Sequence, residues 1–141
     1  MERATREGAA LRRRIDPRGP VDVEAAAGVA GVDVGGWSEA RWNELGGQAA
    51  PDDGAPEEWL RWLAAHAIGH QMLHGGDGQW RARHGEVDTE AELEAEGFAW
   101  ALLVDEREAE TMRFREPWQL AAFFGVPEKA VLGHWDMPEL A

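Results

Sequence analysis

The chain has 141 residues and a mass of 15.6 kDa, enough for one compact domain with its own core and too little for two. Asp and Glu number 27 against 14 Lys and Arg, a formal charge of -13, which excludes a duplex-binding or anionic-membrane surface spread over the whole protein. No apolar stretch reaches membrane-spanning length and no export signal is visible, so a cytoplasmic protein is expected; with no cysteine, a transition-metal site has to be built from His, Asp and Glu.

The charge is uneven. Arg3, Arg6, Arg12, Arg13, Arg14 and Arg18 mark residues 1–18 as a basic N-terminal arm or helix, and residues 19–141 as the single domain. The ordinary role of such an arm is a solvated helix or chain end that touches the acidic body. From Gly19 a helix is expected: Pro20 takes a first-turn position, Asp22 and Glu24 complement the positive helix end, and Gly28 and then Gly31 weaken and end it. Val32-Asp33-Val34 alternates as a short strand does, and Gly35-Gly36 is a break. Residues 41–45 read either as a strand leading into a Gly46-Gly47 hairpin turn or as a helical turn, and residues 51–54 are a loop.

The next segment bears the chemistry. Pro56, Glu57 and Glu58 open a helix whose apolar positions Trp59, Trp62, Leu63, Ala67, Met72 and Leu73 recur at spacings of three and four until Gly75-Gly76 stops it. His66 and His70 lie on it four residues apart, on one face and about 6 Å apart along the axis, so both imidazoles can lean onto one ion. Such a pair arises by chance often enough to mean little alone, and a histidine on an apolar helix is more often a satisfied core residue. A second helix follows Asp88 and Thr89 and runs over residues 90–104, with Phe98, Ala99, Leu102 and Leu103 as its apolar side; it offers Glu92, Glu94 and Glu96 to a neighbour. Catalytic zinc sites of the two-His, one-Glu type take their carboxylate from such a second element and leave a fourth position for water.

The run His66-Ala67-Ile68-Gly69-His70-Gln71-Met72-Leu73-His74, followed by Glu92-Leu93-Glu94-Ala95-Glu96-Gly97-Phe98-Ala99-Trp100-Ala101-Leu102-Leu103, resembles the ImmA/IrrE family of zincin-like metallopeptidases. Their text reads HExGHxxLH and then ExxA[ND]xFAxxLL. Pro20 to Ala27 is similar to the family's first helix, and Leu120 to Val131 to its closing helical pair. The resemblance implies that His66, His70 and Glu92 bind Zn2+. It also implies that Glu96, which falls where the family often has Asn or Asp, orients a ligand histidine from behind. His74 matches a frequent family residue but stands about 12 Å along the helix from His66, too far to share the ion, and is read as structural or substrate-side. Leu73 and Gly76 stand where a metzincin needs Gly and His, so that reading fails.

One departure matters more than the matches. After the first histidine the active pattern has Glu, which takes a proton from the attacking water and passes it to the leaving amine; Ala67 can do neither. Three explanations stand: natural loss of the base, deliberate inactivation, or a base supplied by another carboxylate.

The expected fold is therefore α+β and zincin-like: mostly helical, with a small antiparallel sheet from residues 30–55 and a two-helix metal cleft. The expected function is a metallopeptidase of this type, impaired at Ala67, whose partner by resemblance is a protein or peptide such as a helix-turn-helix repressor, with neither direct nucleic-acid contact nor a membrane. The alternative is a non-catalytic, antitoxin-like interaction module without metal. Trp59, Trp62 and Trp100 read as core plugs, whereas Trp37, Trp42 and Trp80 are candidates for a peptide groove. Residues 119–135 have a helix-turn-helix flavour, yet residues 116–141 contain one Lys, no Arg and four acids, so the motif reads as packing.

Overall fold

A computed structural model describes residues 2–31, 56–74 and 89–135, and among these the chain forms seven α-helices. They are α1 (Glu2–Ile15), α2 (Val23–Ala30), α3 (Pro56–His74), α4 (Thr89–Leu103), α5 (Glu106–Met112), α6 (Pro117–Phe124) and α7 (Glu128–His134). The expected α+β class is corrected: no strand or sheet occurs among the described residues, and the architecture is helical. The physical reason is that helix-on-helix packing closes the core without a sheet face. At the edge of the proposed sheet, α2 runs through Ala30 and is capped by Gly31 in the left-handed region, at φ 75°. The expected strand at 32–34, the 41–45 segment and the loop at 51–54 lie outside the described residues.

Helix α4 is the central element, packed between α1 on one side and α3 on the other. Its buried residues, Ala95, Phe98, Ala99, Trp100, Leu102 and Leu103, surround the helix rather than forming one stripe, as a helix covered on several sides requires. In α1, Ala4, Gly8 and Leu11 recur at helical spacing and are buried, so the basic segment presents its arginines outward and small residues inward. Gly8 sets the closeness of that packing: a Cβ there would stand 2.5 Å from the Phe98 carbonyl oxygen. Arg12 is the exception to the outward rule. It is 3 % exposed, and its Nη1 donates to the carbonyls of Leu102 and Leu103 at 3.1 and 3.0 Å. Nη2 donates to the Gly19 carbonyl, and the guanidinium lies over the Phe124 ring. The last carbonyls of α4, which have no partner within their helix, are thus satisfied by α1.

Local capping fixes the remaining boundaries. Helix α2 begins at Val23 rather than at Pro20, because the extended Asp22 accepts from Ala25 N at 3.1 Å and acts as the N-cap. Asp105 serves α5 the same way, accepting from Arg107 N and Glu108 N. Pro117 opens α6, and Gly125, at φ 70°, ends it. Helices α6 and α7 pack together and bury Leu120, Ala121, Phe124, Val126 and Val131; of these, Ala121, Val126 and Val131, with Gly125 at the turn, carried the helix-turn-helix flavour. No helix among the described residues is long and apolar enough to cross a membrane.

Candidate metal centre

Helix α3 brings three histidines to one side. His66 and His70 are 8 % and 4 % exposed, and their Nε2 atoms stand 3.1 Å apart. From α4, Glu92 places Oε2 at 2.7 Å from His66 Nε2 and Oε1 at 3.2 Å from His70 Nε2. One nitrogen from each imidazole and one carboxylate oxygen therefore lie within 4.8 Å of one another.

Gly69 permits this convergence. A Cβ at Gly69 would meet the Phe98 side chain at 3.0 to 3.1 Å, tighter than ordinary contact, so its absence lets α3 and α4 approach closely beside the ligand positions. Ala64, Ala65 and Ala67 are buried along the same helix, again because small residues fit the narrow space between helices.

The donor set fits zinc. Ligand atoms of a tetrahedral site with metal–nitrogen distances of about 2.0 to 2.1 Å stand about 3.3 Å apart. The two Nε2 atoms, 3.1 Å apart, lie close to that value, and Glu92 faces them with both oxygens, Oε2 at 2.7 Å from His66 and Oε1 at 3.2 Å from His70. Two neutral imidazoles and one carboxylate are the donors that catalytic zinc uses, and a carboxylate offsets part of the charge of a dication brought into a buried site.

His74 does not join the three. Its Nδ1 instead lies 3.1 Å from His70 Nδ1, on the far side of the His70 ring from Glu92. His74 Nε2 is 3.7 Å from Glu94 Oε1. Glu96 is half-buried; among the described residues no hydrogen bond links it to His66 or His70, and its negative charge acts on His134. Ala67 is fully buried in the core cluster.

The sequence reading missed His134. Its ring stacks on Trp100 with centroids 5.3 Å apart and planes inclined by 15°, and it tilts against Trp62 at 5.7 Å. Burial holds the His134 pKa below the ordinary histidine value, against the opposing pull of Glu96 and Glu106. Trp100 Nε1 donates to Glu106 Oε1 at 2.9 Å, completing a cluster whose Trp62 lies one helical turn from His66 and whose Trp100 lies two turns from Glu92. Sequence spacing gave no signal for it, because His134 lies far along the chain from either tryptophan. Trp37, Trp42 and Trp80 lie outside the described residues.

Among family models, the IrrE N-terminal-like domain, peptidase family M78, matches residues 53–134, a segment that contains all three convergent donors. No curated protein and no solved structure matches the chain. With more than half of its length matched and the paired histidines and second-helix glutamate brought to one point, the chain belongs to the IrrE N-terminal-like family of zincin-like metallopeptidases.

Proposed function

We propose that the chain is a zinc-binding member of this family whose peptide-bond hydrolysis is impaired because Ala67 occupies the position of the general base. The observation that supports the proposal is the convergence of His66, His70 and Glu92 beside a residue that cannot accept a proton. Zinc, when bound there, supplies a Lewis acid that polarises a peptide carbonyl and makes water more acidic. His66 and His70 contribute nitrogen lone pairs, and Glu92 contributes negative charge from the facing helix. Among the described residues the groups nearest the site do not carry the proton to the leaving amine: Ala67 offers only a methyl, while Glu94 faces His74 and Glu96 acts on His134. A positioned base contributes about 10² to 10⁴ in rate, so hydrolysis by this chain is slower by about that factor than with the base in place. A protein segment held against the cleft, such as part of a helix-turn-helix repressor, is then bound for longer than it is cut.

Elemental analysis and one restored carboxylate test this reading together. The expected result is about one zinc per chain, lost in His70→Ala. Ala67→Glu is expected to keep the zinc, lose some stability because the site is fully buried, and gain cleavage of a candidate repressor by about 10² or more. A folded, zinc-loaded Ala67→Glu protein that cuts no substrate refutes the missing-base explanation. A wild-type chain that takes up no zinc assigns the fold to a non-catalytic interaction module.

A further inference from the structure

The pair His74 and Glu94 has no part in the ligand set, yet it stands directly behind one ligand. His70 Nδ1 and His74 Nδ1 are 3.1 Å apart, and His74 Nε2 lies 3.7 Å from Glu94 Oε1. The two imidazoles face each other at a centroid distance of 5.1 Å, with planes inclined by 54°. Among the described residues His74 Nε2 has no hydrogen-bond partner and is shut off from solvent, and the Glu94 carboxylate is the charge that faces its N–H.

These contacts admit one arrangement of protons if His70 Nε2 is to act as a ligand. A ligand nitrogen needs its lone pair, so the His70 hydrogen sits on Nδ1. That N–H donates to His74 Nδ1, which must then be the bare nitrogen of its ring. The His74 hydrogen consequently sits on Nε2 and points toward Glu94. Ligand histidines are ordinarily oriented by an acceptor behind the second ring nitrogen, and loss of that acceptor weakens metal binding about 10- to 100-fold.

We infer that His74, backed by Glu94, is a positioning residue that fixes the tautomer and ring orientation of His70 so that its Nε2 lone pair faces the site shared with His66 and Glu92. The inference rests on the metal-site reading above and assigns a role within it to two residues that do not touch the ion. It also explains why His66 and Glu92 meet His70 on one edge of its ring while His74 meets it on the other.

Titration of the metal-free protein with Co2+, followed by its visible absorption, tests the inference. Wild type is expected to bind one Co2+ and His70→Ala none. His74→Leu is expected to bind about 10- to 100-fold more weakly with an altered spectrum. His74→Asn, whose amide oxygen occupies the place of Nδ1, is expected to recover most of that affinity, and Glu94→Gln to lose less than His74→Leu. If His74→Leu does not fold, His74→Gln replaces it, since its amide sits near the Nε2 position and leaves His70 Nδ1 without its acceptor; the same 10- to 100-fold loss is then expected. Undiminished affinity in folded His74→Leu or His74→Gln overturns the inference, as does a His74→Asn protein no better than either. A wild-type chain that ignores Co2+, or a His70→Ala chain that binds like wild type, overturns the metal site itself, a separate failure.

Discussion

Gly69 is a residue whose reason lies on another helix. A glycine inside a helix costs about 1 kcal/mol relative to alanine, so the His66-Ala67-Ile68-Gly69-His70 segment accepts a local penalty. A methyl group there would meet the Phe98 ring at 3.0 to 3.1 Å and push α4 away from α3. The gain in helix propensity from Gly69→Ala is opposed by overpacking, which costs about 1 to 3 kcal/mol in a tight core. The expected outcome is a net loss of about 0 to 2 kcal/mol in urea unfolding, with metal affinity lowered more than stability because Glu92 moves with α4. A variant that is more stable and binds Zn2+ as tightly as wild type would show that the helix spacing is not set here. At this scale the meeting of three donors was legible: His66, His70 and Glu92, which spacing and family text put together, bring one donor atom each to a common point. It was not legible for Gly69 or His134, because their partners Phe98, Trp62 and Trp100 are fixed only by tertiary packing.

The elements were readable where local chemistry decides and obscure where it does not. Helix α3 starts at Pro56 and ends at His74, before the Gly75-Gly76 stop, and α4 falls within a residue of its expected limits. The α+β expectation failed because it gave the core a sheet as its second layer, whereas the described core is built from helices packed on helices; the segment from Val32 to residue 55 lies outside the described residues. Helix α1 was obscured by its arginines, which dominate the charge count while Ala4, Gly8 and Leu11 do the packing. Arg12 is the sharpest case, since a residue counted as part of a solvated basic arm is buried and terminates α4. Arg12→Met keeps much of the side-chain volume but leaves the Leu102, Leu103 and Gly19 carbonyls without their donor. Each unsatisfied buried acceptor costs about 1 to 3 kcal/mol, partly offset because burial opposes the Arg12 charge and lowers its pKa. The expected net loss is about 2 to 4 kcal/mol in urea or thermal unfolding. A variant as stable as wild type would mean that the carbonyls find water instead.

At the scale of the whole molecule, His134 joins the C-terminal helical pair to the pair that carries the candidate metal centre: α7 ends on a ring that lies against Trp62 of α3 and Trp100 of α4. Burial favours the uncharged imidazole in this contact. Burial lowers its folded pKa below the ordinary 6.5, so below that pH the unfolded chain takes up a proton that the folded chain resists. The stability that His134 contributes is therefore complete above about pH 6.5, declines as the pH falls below it, and levels off beneath the lowered folded pKa. His134→Phe preserves an aromatic ring against both tryptophans and removes the titration. Chelator-treated wild type and His134→Phe, unfolded in urea between pH 7.5 and 5.0, share any effect of protonating His66, His70 and His74, so their difference isolates His134. Wild type is expected to lose stability relative to the variant over the acidic part of that range and to hold a constant difference above it. Parallel profiles across the whole range would mean that the buried stack accepts a charged imidazole as readily as a neutral one, and that α7 is held by the packing of Ala130 and Val131 alone.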